Sequence, residues 1–205
     1  MQNKLFVPNQ KNRHHSLQAC YLMTVNSLTS KNLSMKQAEI DTGYEKNGPN
    51  WDFQALLGLA RHDLKVTVVG EDDYQAMADD FMVCIDQEGF SPEEKEDAIN
   101  MTKMSVEEER IKKILNNPNI KIFHERPKLK RLLGLINDNI LIASIEKPIL
   151  NHHKNNGYYS RFVIIKFIED DYVIIDYPGP PAKENCKIPL TSFLNDIGYV
   201  VAVSR

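Results

Sequence analysis

Cys20 falls in the opening turn or so of a predicted helix, and Asp176 closes the apolar strand Val173-Ile174-Ile175-Asp176-Tyr177-Pro178. A cysteine near a helix N-terminus meets unpaired N–H groups and the positive end of the dipole. Both favour the thiolate, so the placement predicts a lowered pKa and a nucleophilic sulfur. The plainer alternative is a small buried hydrophobe, the common role of a free cysteine. A carboxylate at a strand end can orient a neighbouring cation, or it can simply cap the next turn. Imidazoles for proton transfer are His14, His15, His62, His124, His152 and His153. The polar loop Asn151–Gly157 carries two of these, and His14 and His15 closely precede Cys20. A His-His pair with a cysteine suggests metal, but no ligand spacing supports zinc. Cys84 sits in an apolar helical pattern and reads as core, while Cys186 beside the Pro-rich loop fits either role.

The elements that position these groups change character along the chain. Ser16 is placed to cap a helix over 17–28, with Leu17, Tyr21, Leu22, Val25 and Leu28 on one face. Ser34 caps a short helix ending before Gly43, and Phe53, Leu56, Leu57 and Ala60 recur at helical spacing before the strand Val66–Val69. Ser91 with Glu94 and Ser105 with Glu108 predict two capping boxes. Residues 86–109 hold nine acidic and two basic side chains, whereas 110–131 hold eight basic and one acidic. That segregation fits two solvated helix faces that attract each other, or a charged rim on a groove. Beyond it the strands 120–123, 140–145, 159–168, 172–177 and 199–203 dominate, with short helices from Pro127 and over 189–196. The reading is α+β: a helical N-terminal half packed on an antiparallel sheet from the C-terminal half.

Composition excludes several functions. The chain has 205 residues, 42% hydrophobic and 26% charged, with a formal charge of -3. It is large enough for one domain of generous size, taken as 1–205 with a helical lobe over 10–117 and a mainly β lobe over 118–205. There is no basic excess to support nucleic-acid binding. No apolar run has the length of a membrane span or a signal peptide, so the expectation is no membrane insertion and a cytoplasmic protein, signal-independent export apart. Three cysteines make a disulfide scaffold improbable. No cofactor or metal is expected.

The order of elements from about Gln10 to Val203 resembles that of the bacteriocin-processing cysteine peptidases and their peptidase-like relatives. The most specific part is Arg161-Phe162-Val163-Ile164-Ile165, a hairpin, Tyr172–Asp176, Pro178-Gly179, and the later helix with Ser192-Phe193-Leu194. The family has a His-Phe-Val-Val-Val strand, an apolar strand ending in Asp-Pro-Gly, and a Phe-containing helix. The resemblance implies a papain-like fold, with Cys20 as nucleophile and Asp176 as orienting carboxylate. It places Arg161 where the family has its histidine, and His14 where it has the oxyanion glutamine, with Gln10 and Gln18 off register.

Guanidinium stays protonated at physiological pH and cannot serve as a general base. It can lower a neighbouring thiol pKa or pair with Asp176. Two functions follow. One is a papain-like scaffold that binds an extended peptide or protein segment, its proteolytic centre degenerate, in effect a pseudoenzyme. The other is an active cysteine peptidase or acyl-transfer hydrolase using Cys20 with a displaced base, His153 or His152.

Overall fold

The computed structural model describes residues 6–9, 15–45, 51–88, 90–145 and 161–205. Helices α1 (Ser16–Leu28), α2 (Met35–Thr42) and α3 (Phe53–Arg61) lead into β1 (Lys65–Gly70). Next come α4 (Tyr74–Asp79), α5 (Met82–Gln87), α6 (Pro92–Met101) and α7 (Met104–Leu115). The rest is β2 (Ile120–His124), α8 (Leu129–Ile136), β3 (Ile140–Ile145), β4 (Arg161–Ile168), β5 (Tyr172–Tyr177), β6 (Lys183–Pro189), α9 (Leu190–Asp196) and β7 (Ile197–Ser204).

The strands form one sheet in the order β2-β1-β7-β3-β4-β5-β6. It is mixed rather than antiparallel throughout, because β1 and β2 pair in parallel. The crossover α4–α7 between them supplies the length that a parallel pair needs. β1 also corrects the expected division of labour. It comes from the helical half yet joins the sheet through β7, which runs antiparallel to both β1 and β3. The last strand thereby links the front and back of the chain.

Both faces of the central strands β7, β3 and β4 are covered, which explains their apolar runs. On one face Leu17, Cys20, Tyr21, Leu56, Phe81, Ile111, Ile142, Phe162 and Ile164 share a core. On the other Leu132, Leu141, Val163, Ile165, Val173, Ile175 and Phe193 share a second. Adjacent residues of β4 therefore alternate between the two cores, as the pleat requires.

Local signals succeed where the backbone alone decides. Ser34 caps α2 by accepting from Gln37 N–H at 3.3 Å. Gly43 ends the helix at φ 67, a left-handed position that glycine takes without strain, and a Cβ there would stand 2.9 Å from Gln54 Cγ. The capping box of Ser91 and Glu94 is complete. Two expected caps fail because tertiary partners take the side chains. Ser16 is the first residue of α1 rather than its cap, and its Oγ accepts from the buried Phe162 N–H at 3.3 Å. Ser105 lies inside α7, and Glu108 Oε1 instead accepts from Phe81 N–H at 3.3 Å.

Candidate active site

Cys20 is the fifth residue of α1. The Ala19 N–H already bonds the His15 carbonyl at 3.0 Å, so Cys20 lies beyond the four free amides of the helix start. The dipole effect fades within that first turn. The side chain is wholly buried. Burial, and secondarily the charge of Asp176, pushes its pKa well above the ordinary thiol value. The expected activated thiolate is thus corrected to a protonated, enclosed thiol. Asp176 of β5 is thus close enough for its charge to act on the Cys20 thiol of α1.

Asp176 is 1% exposed. Its Oδ1 accepts from Asn185 N–H at 3.0 Å, and its Oδ2 stands 3.4 Å from Lys166 Nζ. Lys166 Nζ also donates to Asn185 Oδ1 at 2.7 Å and lies 3.6 Å from Glu184 Oε1. Asn185 holds this position at φ 54, a left-handed conformation that asparagine tolerates better than most residues. Sequence reasoning missed Lys166 and Asn185. The available signal was a single lysine inside the apolar strand Phe162–Ile168.

Arg161 opens β4 and is half-buried. Its cross-strand partner is Ile145, which belongs to the second core with Val163 and Ile165. Alternation therefore assigns Arg161 to that face, and assigns Phe162, Ile164 and, by register with Ile164, Asp176 to the face of Cys20. The contact of Ser16 with Phe162 fixes α1 against this strand. His152, His153, His14 and Gln10 lie outside the described residues. His15 Nε2 is 2.8 Å from Glu39 Oε1, and its ring stands 4.2 Å from that of Tyr44. Gln18 is buried and donates to Thr42 Oγ1 at 2.9 Å, leaving Oε1 without a hydrogen-bond partner.

Beside Phe162 a small cavity is lined by Leu17, Tyr21, Asp52, Leu56, Phe162 and Tyr199. Asp52 accepts from Tyr199 O–H at 2.6 Å. Its burial, with Asp72 and Glu88 nearby, raises its pKa to about 7 despite that hydrogen bond. Cys84 is buried in the core as expected, and Cys186 is half-buried on β6. Among the described residues no three His, Cys, Asp or Glu side chains converge as a metal site would need. No described helix is long and apolar enough to cross a membrane.

The architecture is that of a papain-like peptidase, in the arrangement to which the sequence pattern pointed. Among solved structures the chain is similar to the peptidase domain of Streptococcus ComA, described as a bi-functional ABC transporter involved in a quorum sensing pathway. The TM-score is 0.51 at 10% identity, over 98% of each chain. No family model matches the sequence, and no curated protein matches it. At this identity the likeness establishes the fold.

Proposed function

We propose that the chain binds an extended peptide or protein segment on a papain-like scaffold whose hydrolytic centre is not assembled. The observation that carries this reading is the engagement of Asp176. In a thiol–imidazole–carboxylate device the carboxylate orients the base. Here both of its oxygens already carry donors, from Asn185 and Lys166. The enclosed thiol of Cys20 and an arginine at the family's histidine position support the same conclusion.

The sheet offers a place for the peptide next to Asp176. The core under α1 includes Phe162 and Ile164 of β4 but none of the described residues of β5 or β6. On that face Phe167 is 46% exposed and pairs with the half-buried Ile174. Tyr172 follows two residues before Ile174, with Lys187 Nζ 3.3 Å from its ring centroid. Apolar floor and cationic edges suit an extended segment with apolar and acidic side chains.

Fluorescence anisotropy with a pool of extended peptides tests the proposal. Binding should survive Cys20→Ala and weaken at least ~10-fold in Phe167→Asp, whose exposed position spares folding. Cys20-dependent cleavage of those peptides would overturn it in favour of a peptidase using His153 or His152.

A further inference from the structure

Away from this cleft, a hydrogen-bonded chain of side chains runs from the core to an exposed amine. At its base is Asp41 of α2. Its Oδ1 accepts from Gln37 Nε2 at 3.0 Å, and its Oδ2 accepts from Tyr21 O–H at 3.3 Å. The same Oδ2 stands 3.3 Å from Nε2 of His62, the residue that ends α3. His62 Nδ1 lies 2.6 Å from Lys31 Nζ. A lysine ammonium only donates, so Nδ1 must be the acceptor and the ring proton must sit on Nε2, facing the carboxylate. The two partners of the ring therefore define its tautomer. The imidazole and carboxylate side chains are 12% and 15% exposed, whereas Lys31 is exposed.

Each component is held in place. Thr29 Oγ1 donates to the Val25 carbonyl at 2.8 Å and accepts from Lys31 N–H at 3.1 Å. Asn26 Oδ1 accepts from Leu33 N–H at 2.8 Å, and Asn26 Nδ2 donates to the Leu33 carbonyl at 3.3 Å. The loop that presents Lys31 is thus tied on both sides. Arg61 donates to the Asp41 carbonyl at 3.2 Å. Gly58 allows α3 its close approach, since a Cβ there would stand 2.8 Å from that carbonyl oxygen and 2.9 Å from Tyr21 Oη.

We propose that Lys31 is an acyl-acceptor lysine for acyl thioesters, with His62 as its base and Asp41 as the carboxylate that orients the base. The order nucleophile, base, orienting carboxylate is the arrangement that activates weak nucleophiles. The Lys31 ammonium first gives one proton to water, and the free amine so formed attacks the thioester carbonyl carbon, so that a C–N bond forms. The proton on the now cationic nitrogen passes to His62 Nδ1, and Asp41 stabilises the resulting imidazolium. The tetrahedral adduct collapses, the C–S bond breaks, and its electron pair leaves on sulfur. His62 returns the proton to that thiolate, so the products are an amide on Lys31 and a free thiol, with nothing oxidised or reduced.

The test is acetylation of the intact chain by S-acetyl-N-acetylcysteamine, mapped by mass spectrometry over time. Lys36, exposed on α2, serves as the internal reference. Lys31 should acetylate at least ~10-fold faster than Lys36. His62→Gln should bring Lys31 down to the rate of Lys36. Should the variant fail to fold, the Lys31-to-Lys36 ratio of the parent chain decides alone. Equal rates in the parent, or a folded His62→Gln that keeps the fast rate, would each overturn the proposal.

Discussion

Lys166 Nζ stands 3.4 Å from Asp176 Oδ2, an ion pair whose members are 15% and 1% exposed. The carboxylate lies on the Cys20 face of the sheet, and its charge opposes ionisation of the thiol. Lys166 of β4 and Asn185 of β6 thus engage both oxygens of the carboxylate on β5.

Removing the lysine should leave a buried carboxylate with only the Asn185 N–H. We expect Lys166→Met to lower stability by about 3 kcal/mol, the low end for a broken buried pair. The double variant Lys166→Met/Asp176→Asn should recover part of that loss, since the orphaned charge is gone. Urea denaturation of these two variants and of Asp176→Asn alone measures the coupling, and strictly additive losses would show that the pair contributes nothing.

Cys20 should react slowly. Its thiol is wholly buried and its pKa is raised by burial and by Asp176. Iodoacetamide at neutral pH should modify native Cys20 at least ~100-fold more slowly than the same residue in the unfolded chain, because only the thiolate attacks. Asp176→Asn should lower its apparent pKa. Fast native labelling at pH 7 would mean that the thiol is both open and activated.

Arg161→His should not create a peptidase. Alternation along β4 puts position 161 with Val163 and Ile165, across the sheet from Cys20. The expected outcome is no Cys20-dependent turnover of a peptide ester while the melting temperature stays within a few degrees. Ester hydrolysis that disappears in the Arg161→His/Cys20→Ala double variant would place the new imidazole on the thiol's face instead.

Asp52 supplies a pH dependence of stability. Its folded pKa of about 7 lies above the unfolded value, so the native state binds the proton more tightly. The contribution is full below about pH 4 and is lost as pH rises toward 7, a change of up to about 4 kcal/mol. Groups facing it are Tyr199 on β7, Tyr74 on α4, and Asp72 and Glu88. Asp52→Asn keeps an acceptor for Tyr199 and should flatten the stability profile between pH 4 and 7. An unchanged slope in that variant would assign the effect to Asp72 or Glu88.

Several elements were legible because their signals are local. The apolar runs Ile140–Ile145 and Tyr172–Tyr177 match β3 and β5 residue for residue, because a short apolar run bounded by turn residues is itself a strand signal. The Ser91 box needs only four residues to close, and Gly43 needs only its own backbone freedom. β6, Lys-Glu-Asn-Cys-Lys-Ile-Pro, escaped notice because an edge strand with polar, exposed side chains has no apolar alternation to betray it.

The order of elements and the α+β class were thus determined by the sequence itself, through propensity, patterning and the succession of motifs, whereas the pairing of Cys20 with Asp176 was implied only by the resemblance those motifs carry. The chemistry of that pair was decided by tertiary structure. Whether a thiol ionises depends on solvent access and on the charges beside it, and these come from residues as distant in the chain as Cys20 and Asp176. Which face Arg161 takes depends on strand register, and a one-residue difference moves a side chain across the sheet. The partner of Asp176 depends on β4 and β6 meeting β5, so Lys166 and Asn185 acquire their roles only when the sheet is built.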